Sequence, residues 1–509
     1  MPATGIHHIT AISSDAQANR DFWAGLLGLR AVKKTVNFDD PETYHLYYGD
    51  EVGSPGAILT FFPYAGARQG RVGRGMATAV VLAVPQASLD WWRARLDEAG
   101  IVVTDIELHG DARLAFVDPD GLPVELVGVE TDTTGWGGGT VPADHAILGV
   151  HSVTLAVPTA DATRQVLHQL GYTGDGLRLT ADAALGKYVD LVEVGSASAG
   201  VGGAGTIHHV AFRVGDDDDE LAVRLKVVGM GLQPTPVIDR QYFHSVYFRE
   251  PGGVLFELAT DPPGFDADEP RDSLGEALKL PPQYESNRAA IEKGIRPLLP
   301  ATDGPVFVHR WEPADDSDRV LLALHGTGGD ENDLIPLARQ ASPNASILSP
   351  RGRVDENGMP RFFRRLREGV FDEASIVREA NALATWLATQ ADRYDFDASA
   401  VDAIGYSNGA NIASAVLLLR PESLRSLVLL RPMIPLTPDP LPALSGKRIL
   451  LLAGQRDPIA PPDHVEALAT LLKTAGADIT TTFQPAGHEL TQADVQAAGA
   501  FFSNSSSSS

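Results

Sequence analysis

The order strand, helix, strands returns four times before about residue 260, and this repetition constrains the fold more than any other feature of the chain. The opening stretches are GIHHITAI (5–12), MATAVVLAV (76–84), GVHSVTLAV (149–157) and TIHHVAFRV (206–214). Their apolar residues alternate, as in half-buried strands. Helical spacing follows, for example in ANRDFWAGLLGL or ASLDWWRARLDEAG, and each unit closes on another apolar run: AILTFFP, LPVELVG, YVDLVEV and VLFELAT. The expected class for this part is α+β, built from four copies of a strand, a helix and then several strands.

From about residue 305 the pattern changes. DRVLLALHGTGG, SAVDAIGYSNGA and GKRILLLAGQRDP carry short runs of Val, Ile and Leu that suit strands buried on both faces of a parallel sheet. Helical stretches such as EASIVREANALATWLATQA alternate with them, which predicts an α/β layer structure. PLLPATDGP reads as a linker between the two parts, residues 264–298 as a tail on the first, and the closing SNSSSSS as flexible low-complexity sequence. The expected domains are 1–140 (modules one and two), 141–298 (modules three and four with the tail) and 305–502.

Composition excludes several function classes. With no cysteine, disulfides and thiolate metal sites are ruled out, so a metal must be held by His, Asp or Glu. A formal charge of -25 disfavours nucleic acid and anionic membrane as partners. No apolar run reaches bilayer length and MPATGIHHIT lacks the features of a signal peptide, which makes the cytoplasm the expected compartment. DDDDE at 216–220 reads as a solvated loop face.

The modules, with the Gly-bearing turns VDPDGLPVEL and REPGGVLFEL, resemble the vicinal oxygen chelate superfamily, whose members pair βαβββ modules into cup-shaped sheets around a divalent metal. Aligning the opening stretches sets His8 and His209 opposite Ala79 and Ser152, so only modules one and four carry paired histidines. Module four adds Glu257 in its closing stretch, whereas AILTFFP of module one has no carboxylate. Modules one and four meeting in the fold would supply two imidazoles and one carboxylate, the facial set of non-haem Fe(II) oxygenases. Glu125 and Glu193, lacking histidine partners, read as edge or surface carboxylates.

Residues 1–298 are most similar to ring-cleaving dioxygenases of para-hydroquinones, through GIHHIT, YHLYYGDEVGSPGAILTFFP, SLDWW, IHHVAF and GGVLFEL. The resemblance implies His8, His209 and Glu257 as ligands of Fe(II), with Mn(II) as the alternative ion, and an aromatic diol and dioxygen as substrates. It places His7, Thr10, His208, Arg240 and Tyr247 around the substrate and includes His45 without a role. Two other readings stay open: a metal-dependent isomerase or lyase of glyoxalase type, and a non-catalytic binder of quinones.

GYSNGA (405–410) is a G-x-S-x-G segment between a strand and a small-residue helix, and Asp457 and His488 follow it in α/β-hydrolase order. Residues 305–502 resemble the carboxylesterase and phospholipase branch of that fold, with Asn408 where Gln is often found. Ser407 is then the nucleophile, His488 the base and Asp457 its orienter, and the N–H groups of Thr327 and Asn408 form the oxyanion site. Its expected substrate is an ester or the ring-opened product. The sequence leaves a homo-oligomer open.

Overall fold

The computed structural model describes residues 3–131, 134–314 and 318–503; the serine-rich tail from Asn504 onward lies outside the described residues. The chain forms two compact units, Met1–Asp303 and Gly304–Ser509.

In the first unit the modules pair crosswise. An eight-stranded sheet has the order Ile238–Asp239, Phe243–Arg249, Leu255–Pro263, Thr206–Val214, Ile6–Ser13, Ile58–Pro63, Asp40–Gly49, Arg30–Asn37, and contains the strands of modules four and one. A seven-stranded sheet does the same for modules three and two: Arg178–Thr180, Tyr188–Glu193, Gly149–Val157, Met76–Pro85, Pro123–Val129, Asp111–Val117, Thr104–Leu108. Neither 1–140 nor 141–298 therefore owns a sheet. Modules two and three are consecutive and pair with each other, which leaves the outer two to complete one sheet together.

Each sheet has the same centre. Two opening strands run antiparallel, and each has its own closing strand parallel on its far side. Parallel neighbours cannot be joined by a hairpin, so the helix of each module serves as the crossover. Asp216 starts one such helix, Asp217–Gly229, by accepting the N–H of Asp219 at 3.0 Å. The acidic run is thus a cap and first helical turn rather than a loop face, and its charges oppose the positive end of the helix dipole. The tail forms short helical turns that bury Phe265, Leu274 and Leu280 against this unit.

The second unit is a seven-stranded sheet ordered His309–Glu312, Ser346–Pro350, Val320–Leu324, Asp402–Tyr406, Ser426–Leu430, Arg448–Gly454, Asp478–Gln484, parallel except at its first strand. Leu322 and Leu324 point to a core with the helices Glu373–Tyr394, Asn408–Leu419 and Pro462–Thr474. Leu321 and Ala323 point to the other face, against Ile335–Ala341 and Gln492–Ser503. Burial on both faces explains why these strands read as unbroken apolar runs.

Candidate active sites

Strand alternation should send His7 and His8 to opposite faces, but register slips prevent it. Ile6 lies opposite Phe212 and His8 opposite Ala211, so His7 is an extra residue; Thr10 lies opposite His209 and Ala11 opposite Ile207, so His208 is another. A bulge of this kind breaks the two-residue period and re-aims side chains. The neighbours consequently touch through their rings: His7 Nδ1 is 2.9 Å from His8 Nδ1, and His208 Nδ1 is 2.8 Å from His209 Nδ1. One proton sits between each pair of nitrogens, and when His8 and His209 hold it on Nδ1 their Nε2 atoms are bare.

Those Nε2 atoms converge on Glu257. Its Oε2 lies 3.4 Å from His8 Nε2 and 2.8 Å from His209 Nε2, and the three ligand atoms fit within 4.8 Å of one another. All three residues are buried. Burial lowers the pKa of His209 against the pull of Glu257, which favours the neutral imidazole. For Glu257 burial acts to raise the pKa, and imidazolium charge on His8 and His209 would outweigh it and hold the carboxyl well below its usual range. The opposite Oε1 accepts from Ser245 Oγ at 2.5 Å, while Oε2 and His209 Nε2 have no hydrogen bond of acceptable geometry. A buried carboxylate facing lone pairs is costly without a cation, so this donor set fits a divalent metal. It is the only such cluster among the described residues.

A cavity of about 260 Å³ opens on the cluster. Thr10, His208, Arg240 and Tyr247 line it, along with His45, Tyr47, Phe62 and Phe243. Arg240 Nε donates to the Tyr247 hydroxyl at 3.3 Å, and burial raises the pKa of Tyr247, as does Glu257. Burial likewise depresses His208 to about 4, with His209 adding to the effect. His7 departs from the expectation. It stands behind His8 on the wall of a separate cavity of about 220 Å³. A broader cleft of about 700 Å³, lined by Arg20, Arg30 and Trp136, contains none of these groups.

The seven-stranded sheet repeats the plan with different side chains. Its register slips at Thr78 and His151, one residue before Ala79 and Ser152. Glu125 is buried rather than superficial, and Arg113 Nη1 donates to it at 2.6 Å; Arg113 Nη2 reaches Asp190 at 3.0 Å. Glu193 is exposed and accepts the N–H of Ala160 at the start of the helix Ala160–Leu170. Sequence reading missed Asp190 and Arg113, because neither carries a motif.

In the second unit Ser407 joins the strand Asp402–Tyr406 to the helix Asn408–Leu419 at φ 52°, ψ -109°. Such a strained turn needs bare neighbours. A Cβ on Gly405 would meet the Gly409 carbonyl oxygen at 2.5 Å, and one on Gly409 would meet that of Leu324 at 2.0 Å. His488 Nε2 lies 2.9 Å from Ser407 Oγ and its Nδ1 2.8 Å from Asp457 Oδ2. Asp457 Oδ1 accepts the N–H groups of Ile459 and Ala460, which fixes the carboxylate. The N–H of Asn408 opens its helix, where no intrahelical acceptor is available, and its side chain accepts from Phe362 N at 2.7 Å. Thr327 Oγ1 accepts from Arg361 at 2.8 Å. Two supports were not legible in the sequence: Tyr406 donates to the His488 carbonyl at 3.0 Å, and buried Arg431 holds the carbonyls of Gly487 and Glu489 on either side of it.

Comparison with known proteins gives a consistent picture. Residues 5–126 match the Glyoxalase/Bleomycin resistance protein/Dioxygenase superfamily. MhqO of Bacillus subtilis (strain 168), named as a ring-cleaving dioxygenase, is 46% identical over 301 residues, covering 58% of this chain and 96% of MhqO. The chlorohydroquinone/hydroquinone 1,2-dioxygenase of Sphingobium indicum is 35% identical over 303 residues, or 55% of this chain and 92% of the relative. MhqD of B. subtilis, named as a hydrolase, is 43% identical over 182 residues, or 36% of this chain and 91% of MhqD.

Proposed function

Since the first unit belongs to the ring-cleaving dioxygenases of the glyoxalase and dioxygenase superfamily, and the second to the hydrolase family of MhqD, we propose that one chain carries two reactions. The first is Fe(II)-dependent opening of a hydroquinone-type diol by dioxygen, with Mn(II) as the alternative ion. The second is hydrolysis of an ester or of the ring-opened product at Ser407.

The convergence of His8, His209 and Glu257 within 4.8 Å carries the first reading. Three protein donors leave coordination positions open, and an iron ion held there would bring diol and dioxygen together and pass electrons between them. The chain's own groups orient the reaction. His208 fixes His209 through the shared Nδ1 proton, His7 does the same for His8, and Arg240 with Tyr247 offers donors to a ring oxygen. Phe62, Phe243 and Leu255 give the cavity flat apolar walls suited to a single ring. Thr60 supports this over the isomerase reading, because it puts a hydroxyl where module one would otherwise supply a fourth acidic ligand, opposite Thr10.

For the hydrolase, Ser407 attacks the carbonyl as His488 Nε2 takes its proton, and Asp457 keeps the other proton on Nδ1. The N–H groups of Thr327 and Asn408 receive the oxyanion.

Oxygen uptake by Fe(II)-loaded protein with a panel of hydroquinones and catechols tests the first activity. It should vanish in His209→Ala while release of 4-nitrophenol from 4-nitrophenyl acetate persists; Ser407→Ala should give the reverse. Feeding the dioxygenase product to wild type and to Ser407→Ala then tests whether the activities are sequential, with faster decay expected for wild type.

A further inference from the structure

His45 has no part in the triad, yet both of its nitrogens are engaged at the cavity. Its Nδ1 is 2.8 Å from the Tyr47 hydroxyl and its Nε2 is 3.0 Å from Thr60 Oγ1, which is 2.8 Å from Thr10 Oγ1. Tyr47, His45 and Thr10 line the cavity, whereas Thr60 links them from within the wall. All four are buried. This hydrogen-bonded row therefore begins at Thr10 and ends at Tyr47 on the same cavity.

Strand register shows what this row replaces. Tyr47 lies opposite Thr60 as Tyr247 lies opposite Glu257, and Thr60 lies opposite Thr10 as Glu257 lies opposite Ala211. His45, two residues before Tyr47, consequently occupies the place of Ser245. Ser245 binds the acid Glu257, and His45 binds the hydroxyl Thr60. Module one has kept the geometry of a ligand-holding row and filled it with groups that both give and accept a proton.

We propose that Thr10, Thr60, His45 and Tyr47 form a proton relay along the cavity wall, moving a proton from a substrate hydroxyl beside Thr10 to a second oxygen of the same substrate beside Tyr47. The inference rests on the diol reading above. Each step breaks one bond to hydrogen and forms one. The substrate proton goes to Thr10 Oγ as Thr10 gives its own to Thr60. Thr60 then protonates His45 Nε2, His45 releases its Nδ1 proton to the Tyr47 oxygen, and Tyr47 gives up its original proton to the substrate. No net charge remains on the chain. Burial drives the His45 pKa well below its usual value and raises that of Tyr47, so a transfer that leaves both neutral is the one this wall tolerates.

Thr60→Val cuts the relay at its middle while keeping the shape of the side chain. In Fe(II)-loaded full-length protein with hydroquinone, kcat should fall about a hundredfold, the usual scale of a lost proton transfer, with KM little changed. Iron content should equal that of wild type, and Thr60→Ser should restore the rate. The dependence of kcat on D₂O fraction should be curved in wild type and Thr60→Ser, where several protons move together, and linear in Thr60→Val. His45→Phe breaks the next link and should behave alike if Thr60→Val does not fold. A wild-type rate in both variants overturns the relay, as does a rate loss that follows lost iron. Wild-type protein that consumes no oxygen with any diol overturns the dioxygenase reading itself, and the relay with it.

Discussion

The two sheets of the first unit share one plan and end in different chemistry. Both join antiparallel opening strands at the centre, and both insert bulges at matching places, His7 and His208 in one and Thr78 and His151 in the other. Both set a buried acid on a closing strand, Glu257 or Glu125. The residue that faces this acid from the next strand differs: Ser245 in the first sheet, Arg113 in the second, each two positions before the residue paired with the acid. A serine hydroxyl leaves the carboxylate charge unbalanced and a site for a cation. A guanidinium supplies the cation from the chain itself, and it also neutralises Asp190 together with Arg178. The scaffold gathers acids whichever sheet it builds; where His8 and His209 stand opposite Ala79 and Ser152, and Ser245 stands in place of Arg113, the acid is left open to a cation instead of being paired with an arginine.

Several substitutions would break this contrast, with the largest effect expected at the acid. Glu257→Ala should reduce metal content, read by elemental analysis, and oxygen uptake to background, because two neutral imidazoles remain without the charged ligand. Arg113→Met should leave metal content intact but destabilise the first unit by about 3–5 kcal/mol, read by denaturant unfolding, since it strands Glu125 as a buried charge and leaves Asp190 to Arg178 alone. His208→Phe should weaken metal affinity by about 10–100-fold, because His209 loses the neighbour that orients it, whereas His151→Phe at the matching bulge should leave it unchanged.

The smallest effect concerns the crossover helices. Thr163 in the module-three helix donates to Glu250 at 2.7 Å, while Glu220, at the matching place in the module-four helix, is buried with no hydrogen bond to either carboxylate oxygen. Burial raises its pKa to about 7. A carboxyl whose pKa is higher in the folded state loses stability as pH rises from its ordinary range, near 4.5, to about 7, and the penalty then stays constant. Glu220→Gln should therefore raise the melting temperature at pH 8 and leave it unchanged at pH 4.

Much of the site was legible because its residues travel in local patterns. GIHHIT and TIHHVAF mark the histidine pairs, and the order of Ser407, Asp457 and His488 marks the hydrolase. The acid was harder to read. Glu125 and Glu257 sit in almost the same words, LPVEL and VLFEL, yet one is bound to arginine and the other faces histidines. Arg113 gave no signal, since a lone arginine in an amphipathic strand is ordinarily at the surface.

What the sequence by itself determined was the list of parts: four modules, a change of grammar near residue 305, two histidine pairs with one matching acid, and a serine elbow. Periodicity and turn residues encode these over ten or twenty positions, so they can be read without the fold. Only the tertiary structure decided that modules one and four share a sheet, that bulges turn neighbouring imidazoles toward each other, and that His7 faces away from the cavity. Those outcomes depend on register between strands some two hundred residues apart, where a slip of one residue reverses every side chain, and no local pattern records it.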